Sequence, residues 1–415
     1  MKYGIIILWL VFQSLPLIAS EDSTTIPELK NAGVLLLNSQ GEAVIATHEM
    51  GAFIPASTTK LVTAWLALSY WGADYHFETD FYLDETSKTL WIKGSGDPFL
   101  VSEELHLIAQ KIAALGLKNI NAIGLDDSLF QTNIKVPGSG LTTNPYDAIP
   151  SAIAANFNTL AIRKTAGQVI SAELQTPLTS FAKKMAGQQQ QLSKQILRIN
   201  TGSLSRDAEL YFAELLATFL RQQGVAVGKQ VVWGKVPQQA VFYRHSNSRN
   251  LAEIIRPMMK YSTNFIANQL ILMLSAEYFQ RPANFNDVQD YMTQQVIAKF
   301  NWRNVILEEG AGLSRYNHLS PQQLVQLLEA FRPWKNLLPE VSTGIYAKSG
   351  TLNNISTLAG YIIDQNQHWN AFCLMMPQSV SHQRRNQIVG ELALFSGKIQ
   401  AKTLLSHKQL RQSMK

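Results

Sequence analysis

Cysteine is nearly absent from this chain: Cys373 is the 1 cysteine among 415 residues. An intramolecular disulfide is therefore excluded, and Cys373, within the apolar string from Ala371 to Met376, reads as a small buried hydrophobe on a strand. The 8 histidines show no ligand spacing. His48-Glu49 has no second histidine four residues later, which argues against a metal hydrolase, and no metal or other cofactor is expected. His318 reads as structural. No dense Lys/Arg stripe interleaved with aromatics accompanies the net charge of +6, so nucleic acid is not an expected partner. The turn cluster Gly94-Ser-Gly-Asp-Pro98 lacks the lysine and spacing of a phosphate loop. No internal repeat is visible. Long hydrophobic runs are missing too: the stretch from Ile5 to Phe12 is short for a membrane span.

What is present is a globular composition, 46% hydrophobic and 16% charged, in a chain long enough for two or three domains. Lys2, the apolar run and the small residues Ala19 and Ser20 before Glu21 and Asp22 form a signal-peptide pattern over 1–20. Export with cleavage after Ala19 or Ser20 is expected. The tail 398–415 carries Lys398, Lys402, Lys408, Arg411 and Lys415 and no acid. A solvated terminus is favoured there over peripheral contact with an anionic membrane surface.

Strands are expected from Gly33 to Ser39 and Ala43 to Ala46, and again at 345–347, 358–363 and 369–375, with a final helix at about 383–395. Helices are expected from near Ser57 through Leu68, from Ala208 to Leu220, around 251–255, after Asn264, and after Ser320-Pro321. Between 94 and 202 the texture shifts to short strands and turns. The pattern is α+β: one domain over 21–93 and 203–397, interrupted by a mainly β module at 94–202.

Three short motifs occur in order: Ser57-x-x-Lys60, Ser262-Thr-Asn264 and Lys348-Ser-Gly350. The first two have decoys, Ser180-x-x-Lys183 and Ser248-Arg-Asn250. Ser180 precedes a Met-Ala-Gly turn and a glutamine run, a poor setting for a buried helix, and Ser248 reads as a helix cap. Ser57 opens the most apolar helix. A serine and a lysine three apart share one helix face. Serine becomes nucleophilic when a neighbour takes its proton. Lysine does so only when neutral, which burial and a second cation, here Lys348, promote. The Ser57 N–H at a helix start can face an oxyanion. Ser262 can relay a proton to a leaving amine, and Asn264 can hold a peptide amide. Lys348, Ser349 and Thr351 can receive a terminal carboxylate, and Gly350 lets the strand backbone approach closely.

Together these motifs resemble the set shared by penicillin-binding proteins and serine β-lactamases. Longer strings, 55–64, 94–98, 310–317, 347–352 and 358–361, resemble the D-alanyl-D-alanine carboxypeptidase/endopeptidase family with a domain inserted between the first and second motifs. The resemblance implies an antiparallel sheet with flanking helices and an acyl-enzyme at Ser57. It implies Ser57, Lys60, Ser262, Asn264 and Lys348 as catalytic residues, with Ser349, Gly350 and Thr351 binding substrate. The N–H groups of Ser57 and Thr351 would form the oxyanion hole. It further implies peptidoglycan stem peptides as substrate and β-lactams as covalent inhibitors. Thr263 replaces a familiar Asp, and Ser349 a Thr. The insertion is short for the family, which leaves endopeptidase activity less secured than carboxypeptidase activity.

Two alternatives remain. A class A β-lactamase would carry a Glu-x-x-Leu-Asn string, absent after Ser262, and a class C enzyme a Tyr in place of Ser262. An inert wall-binding protein would not need intact motifs. Ser314, Arg315 and Asn317 read equally well as supports of the site and as loop packing.

Overall fold

The computed structural model describes residues 26–189 and 192–394. The expected signal segment 1–20, the tail 398–415 and the second half of the glutamine run lie outside the described residues. Among the described residues no helix is long and apolar enough to cross a membrane.

The main sheet has six strands in the order β11-β12-β13-β14-β1-β2, every neighbouring pair antiparallel. The N-terminal hairpin, β1 (Gly33–Leu37) and β2 (Ala43–Thr47), joins strands from the far end of the chain. These are β11 (Glu340–Ser342), β12 (Ile345–Leu352), β13 (Ile355–Ile363) and β14 (Trp369–Met376). β13 is buried on both faces, which is why it reads as a continuous apolar run rather than an alternating one. Cys373 is fully buried on β14, as expected.

One face of the sheet carries the helix at 382–394, whose Ile388, Val389 and Leu392 pack on Val34, Leu36 and Leu374. The other face carries a helical layer. It contains α1 (Lys60–Trp71), α5 (Leu251–Tyr261), α6 (Asn264–Phe279), α7 (Phe285–Phe300) and α8 (Pro321–Phe331). α1 and α6 are buried almost all round, and their sequences are correspondingly apolar on every side. α8 starts in a capping box formed by Ser320 and Gln323. α5 also starts in a capping box, but its cap is Asn250, not Ser248.

The expected module boundaries need correction. A second sheet of five strands runs β10-β3-β4-β5-β9. Its strands are β3 (His76–Asp84), β4 (Thr89–Lys93), β5 (Asn119–Asp126), β9 (Ala226–Trp233) and β10 (Tyr243–Asn250). The break placed at 93/94 separates β4 from β5, which pair in parallel, and the break at 202/203 separates the module from α4 (Ser205–Gln222), β9 and β10. Gly94-Ser-Gly-Asp-Pro98 is a corner inside the unit, with the Gly94 N–H bonded to the Asp126 carbonyl at 2.8 Å. A composition change at a turn looked like a boundary because the pairing that spans it is non-local. Nor is the unit mainly β: α2 (Ser102–Ala114), α3 (Ser180–Gly187) and α4 share one apolar core with the sheet. A third, antiparallel sheet, β7-β6-β8, is formed by β6 (Thr159–Thr165), β7 (Gln168–Ser171) and β8 (Leu197–Asn200).

Candidate active site

Ser57 sits in a 3-10 turn, Ala56–Thr59, that runs directly into α1. Ala56 has a φ of 49°, an unusual left-handed value for a residue with a side chain. Three hydrogen bonds brace this corner: Thr58 and Thr59 hydroxyls donate to the Pro55 and Ala56 carbonyls, and Thr357 of β13 donates to the Pro55 carbonyl. One helical turn later, Lys60 is fully buried.

The Lys60 amine lies 3.1 Å from Ser57 Oγ, 2.7 Å from Asn264 Oδ1 and 2.6 Å from the Ala311 carbonyl oxygen. Asn264 Oδ1 and the Ala311 carbonyl oxygen can only accept, so a neutral amine spends its two protons on them. Its lone pair is then left facing Ser57, whose hydroxyl can donate to it. Burial is the main reason the Lys60 pKa lies well below the ordinary lysine value; the nearby Lys348 cation lowers it further and Glu309 opposes this.

Asn264 begins α6, and its Nδ2 donates to the Tyr146 carbonyl at 3.0 Å. Both ends of the amide are thus engaged by the protein, beyond the expected role of holding a substrate amide. Ser262 occupies the left-handed C-cap of α5, with φ 58°. Its hydroxyl makes no hydrogen bond to another described residue and, with Ser57 and Asn264, it lines a cleft of 1220 Å³.

The third motif lies on β12. Lys348 is buried, and its amine donates to the Ser349 carbonyl at 2.6 Å. Burial, followed by the neighbouring Arg385 cation, brings its pKa down to about 7. Gly350 passes the nucleophile so closely that a Cβ there would lie 2.8 Å from the Ser57 nitrogen and 2.2 Å from Thr357 Oγ1. Ser349 is half-buried and Thr351, which lines the cleft, is exposed. Ser57, Lys60, Ser262, Asn264, Lys348, Gly350 and Thr351 therefore come together in one place, drawn from the turn into α1, the α5–α6 junction and β12, while the Ser349 side chain makes no hydrogen bond to them among the described residues.

Two important residues went unseen in the sequence. Glu309, fully buried, accepts from the N–H groups of Ala311, Gly312 and Leu313 at 2.7 Å, from Ser314 at 3.3 Å and from Asn317 Nδ2 at 2.8 Å. It folds the loop that delivers the Ala311 carbonyl to Lys60. Its signal was a carboxylate just ahead of the Gly310–Asn317 string, but the convergence of N–H groups exists only in the folded loop. Arg385 is buried behind β12 and donates to the Gly350 carbonyl at 3.2 Å and to Thr351 Oγ1 at 3.3 Å. Nothing in the sequence of its helix marked it.

Asn317 braces the site through Glu309, while Ser314 and Arg315 line the cleft and Arg315 donates to the Asn353 carbonyl at 3.0 Å. His318 pairs its backbone with Ile306. The decoy Ser180 opens a short helix, α3, capped by Thr179. What disqualifies it is exposure, since Ser180 and Lys183 both face solvent.

The model of the D-Ala-D-Ala carboxypeptidase 3 (S13) family matches residues 19–339. D-alanyl-D-alanine carboxypeptidase DacB of Haemophilus influenzae is 24% identical over 407 residues, covering 83% of this chain and 84% of its own. A D-alanyl-D-alanine carboxypeptidase of an Actinomadura species is 25% identical, covering 81% and 76%. The fold matches the crystal structure of penicillin binding protein 4 from Haemophilus influenzae, with a TM-score of 0.71 at 22% identity over 87% of this chain and 94% of that one. It also matches a peptidoglycan endopeptidase of Bdellovibrio bacteriovorus, with a TM-score of 0.53 at 15% identity, covering 88% and 92%. The family match ends before β12, yet the fold delivers Lys348-Ser-Gly350 to the very serine that the matched region supplies. With the family model spanning most of its length, the chain belongs to the D-Ala-D-Ala carboxypeptidase 3 (S13) family of serine hydrolases.

Proposed function

We propose that this protein hydrolyses the terminal D-alanyl-D-alanine bond of peptidoglycan stem peptides, with Ser57 as nucleophile and Lys60 as its base. The contact set of the Lys60 amine carries the reading: two obligate acceptors, one serine hydroxyl and full burial. Ser57 Oγ attacks the carbonyl carbon as its proton passes to Lys60. The oxyanion forms against the N–H groups at the start of the Ser57 turn and on β12, where Gly350 permits close approach. Ser262, whose hydroxyl has no hydrogen-bond partner among the described residues, relays a proton to the leaving amine. D-alanine departs, leaving an ester on Ser57 that water hydrolyses. Lys348, Ser349 and Thr351 receive the terminal carboxylate. Cleavage of cross-links is the same chemistry with a larger leaving group.

The same ester explains covalent inhibition by β-lactams. The amino-terminal signal pattern supports export to the compartment that holds peptidoglycan. Intact-mass spectrometry with peptide mapping after exposure to benzylpenicillin tests the mechanism. A penicilloyl adduct on Ser57, absent from Ser57→Ala, is expected. Rapid loss of penicillin without an adduct would replace this reading with a β-lactamase, and an inert protein that also leaves muropeptides intact would replace it with a wall-binding role.

A further inference from the structure

Two clefts meet at Ser262 and Asn264. The first, already described, runs from Ser57 past Arg315 and Tyr316. The second, of 840 Å³, opens on the other side of the motif at 262–264 and shares Tyr146, Ser262 and Asn264 with the first. A free D-alanine leaving group needs only a corner of such a space, which lies within the range of about 300–1,000 Å³ that accommodates a drug-sized ligand.

The second cleft is built rather than incidental. Its floor is a chain of aromatic rings, Phe99 against Phe157 with centroids 5.2 Å apart, and Phe157 against Phe265 at 6.3 Å. Phe157 stands in a run of three consecutive left-handed residues, with φ of 50°, 60° and 51° at Asn156, Phe157 and Asn158. Such backbone is costly for residues with side chains and concentrates where a site demands a particular presentation. Tyr146 and Tyr261 stand exposed on the rim. The Arg249 guanidinium lies over the Phe99 ring at 5.5 Å, and among the described residues it has no carboxylate partner. The segment bearing it is fixed from below. The buried Glu104 accepts from the Ser248 hydroxyl and, at 3.2 Å, from the Ser248 N–H, and pairs with His245 at 2.8 Å. Glu173 and Arg198 form an ion pair on the facing wall.

From this arrangement we infer that the second cleft binds the peptide attached to the leaving amine of a cross-linked substrate, with Arg249 receiving a carboxylate of that peptide. The inference rests on the proposed chemistry at Ser57. Ser262 serves the leaving amine, and the cleft opens directly beside Ser262, so a chain continuing beyond that amine enters it. The acyl half of the substrate takes the first cleft on the side of Arg315 and Tyr316, while its Thr351 side holds the carboxylate next to the leaving amine. A bond with peptide on both sides needs both spaces, and the aromatic floor of the second suits the aliphatic stem of a diamino acid while the unpaired guanidinium suits a further carboxylate of the attached peptide.

Arg249→Glu tests this, because Arg249 is exposed and contacts neither Ser57 nor Lys60. Hydrolysis of a D-alanyl cross-linked dimer of stem peptides is compared with hydrolysis of the uncross-linked pentapeptide and with acylation by benzylpenicillin. The variant should lose about tenfold or more in kcat/KM on the dimer while the other two rates stay within about twofold, and Arg249→Lys should recover part of the loss. An unchanged dimer rate, or equal losses on dimer and pentapeptide, overturns the inference. Equilibrium binding of the same two peptides to Ser57→Ala separates the inference from the mechanism beneath it. Tighter binding of the dimer, abolished by adding Arg249→Glu, is expected even without turnover. Equal binding of both peptides sinks the cleft assignment, whereas a wild-type protein that penicillin fails to acylate sinks the Ser57 mechanism alone.

Discussion

Gly312→Ala should disable acylation without touching a single catalytic side chain. Gly312 has a φ of +81°, and a Cβ built there lies 1.8 Å from the Ala56 carbonyl oxygen and 2.9 Å from the Ser57 nitrogen. Real Cβ contacts essentially never fall under 3.0 Å, so the two backbones must separate by about 1.2 Å. Neither can yield easily: Glu309 clamps the 311–314 N–H groups, and Thr357 and Thr59 pin the corner before Ser57. Displacing a reacting atom by about 1 Å can cost ~100-fold in rate. The left-handed alanine adds about 1–2 kcal/mol of destabilisation. Stopped-flow measurement of benzylpenicillin acylation should therefore show a fall of roughly two orders of magnitude in a protein that still unfolds cooperatively. Gly41→Ala is the control, with φ +80° but nothing within 4 Å. It carries the same backbone strain without the collision and should acylate normally. Acylation of Gly312→Ala within about threefold of wild type would refute the claim that this contact sets the position of Ser57.

Two further predictions concern charge. Glu309→Gln removes an anion that raises the Lys60 pKa, so the acid limb of the acylation pH profile should move to lower pH while the plateau falls; a plateau loss with an unmoved limb would reduce Glu309 to a loop brace. Lys348, with a pKa of about 7 in the fold against an ordinary value of 10.5, binds fewer protons folded than unfolded between those limits. Stability should thus rise with pH across that window, and Lys348→Met should remove up to about 1.4 kcal/mol per pH unit of that slope, read by urea unfolding from pH 7 to 9. An identical slope in the variant would mean that Lys348 keeps its proton in the fold.

What the sequence revealed follows the range of the interactions. Ser57 and Lys60 were legible because their relation is local, three residues apart at the start of one apolar helix. Lys348-Ser-Gly350 was legible as a string on a strand. The decoy in α3 was told from the true motif by its surroundings, and burial is the physical difference between Lys60 and Lys183. The limits of the second unit were misplaced because the parallel pairing of β4 with β5 joins segments that a turn and a helix keep apart in sequence. Arg385 was invisible for the same reason: its partners, Gly350 and Thr351, lie 35 and 34 residues away.

The polar groups around Lys60 explain why the base can be lysine at all. A carboxylate at position 264 would stand 2.7 Å from the amine, hold its proton and abolish the base; asparagine offers the same acceptor geometry without the charge. The Ala311 carbonyl is a second neutral acceptor, at 2.6 Å. Glu309 is the anion whose charge does reach Lys60, and its oxygens face four backbone N–H donors of its own loop and the Asn317 side-chain amide instead of the amine. Lys348 works in the opposite direction, as a neighbouring cation. Strip the carboxylate of its local donors and it becomes free to pair with Lys60; remove Lys348 and part of the pressure toward the neutral amine goes with it. The N–H groups of a glycine-containing loop are therefore part of how this site keeps the lysine pKa low, by occupying the carboxylate that would otherwise pair with the protonated amine.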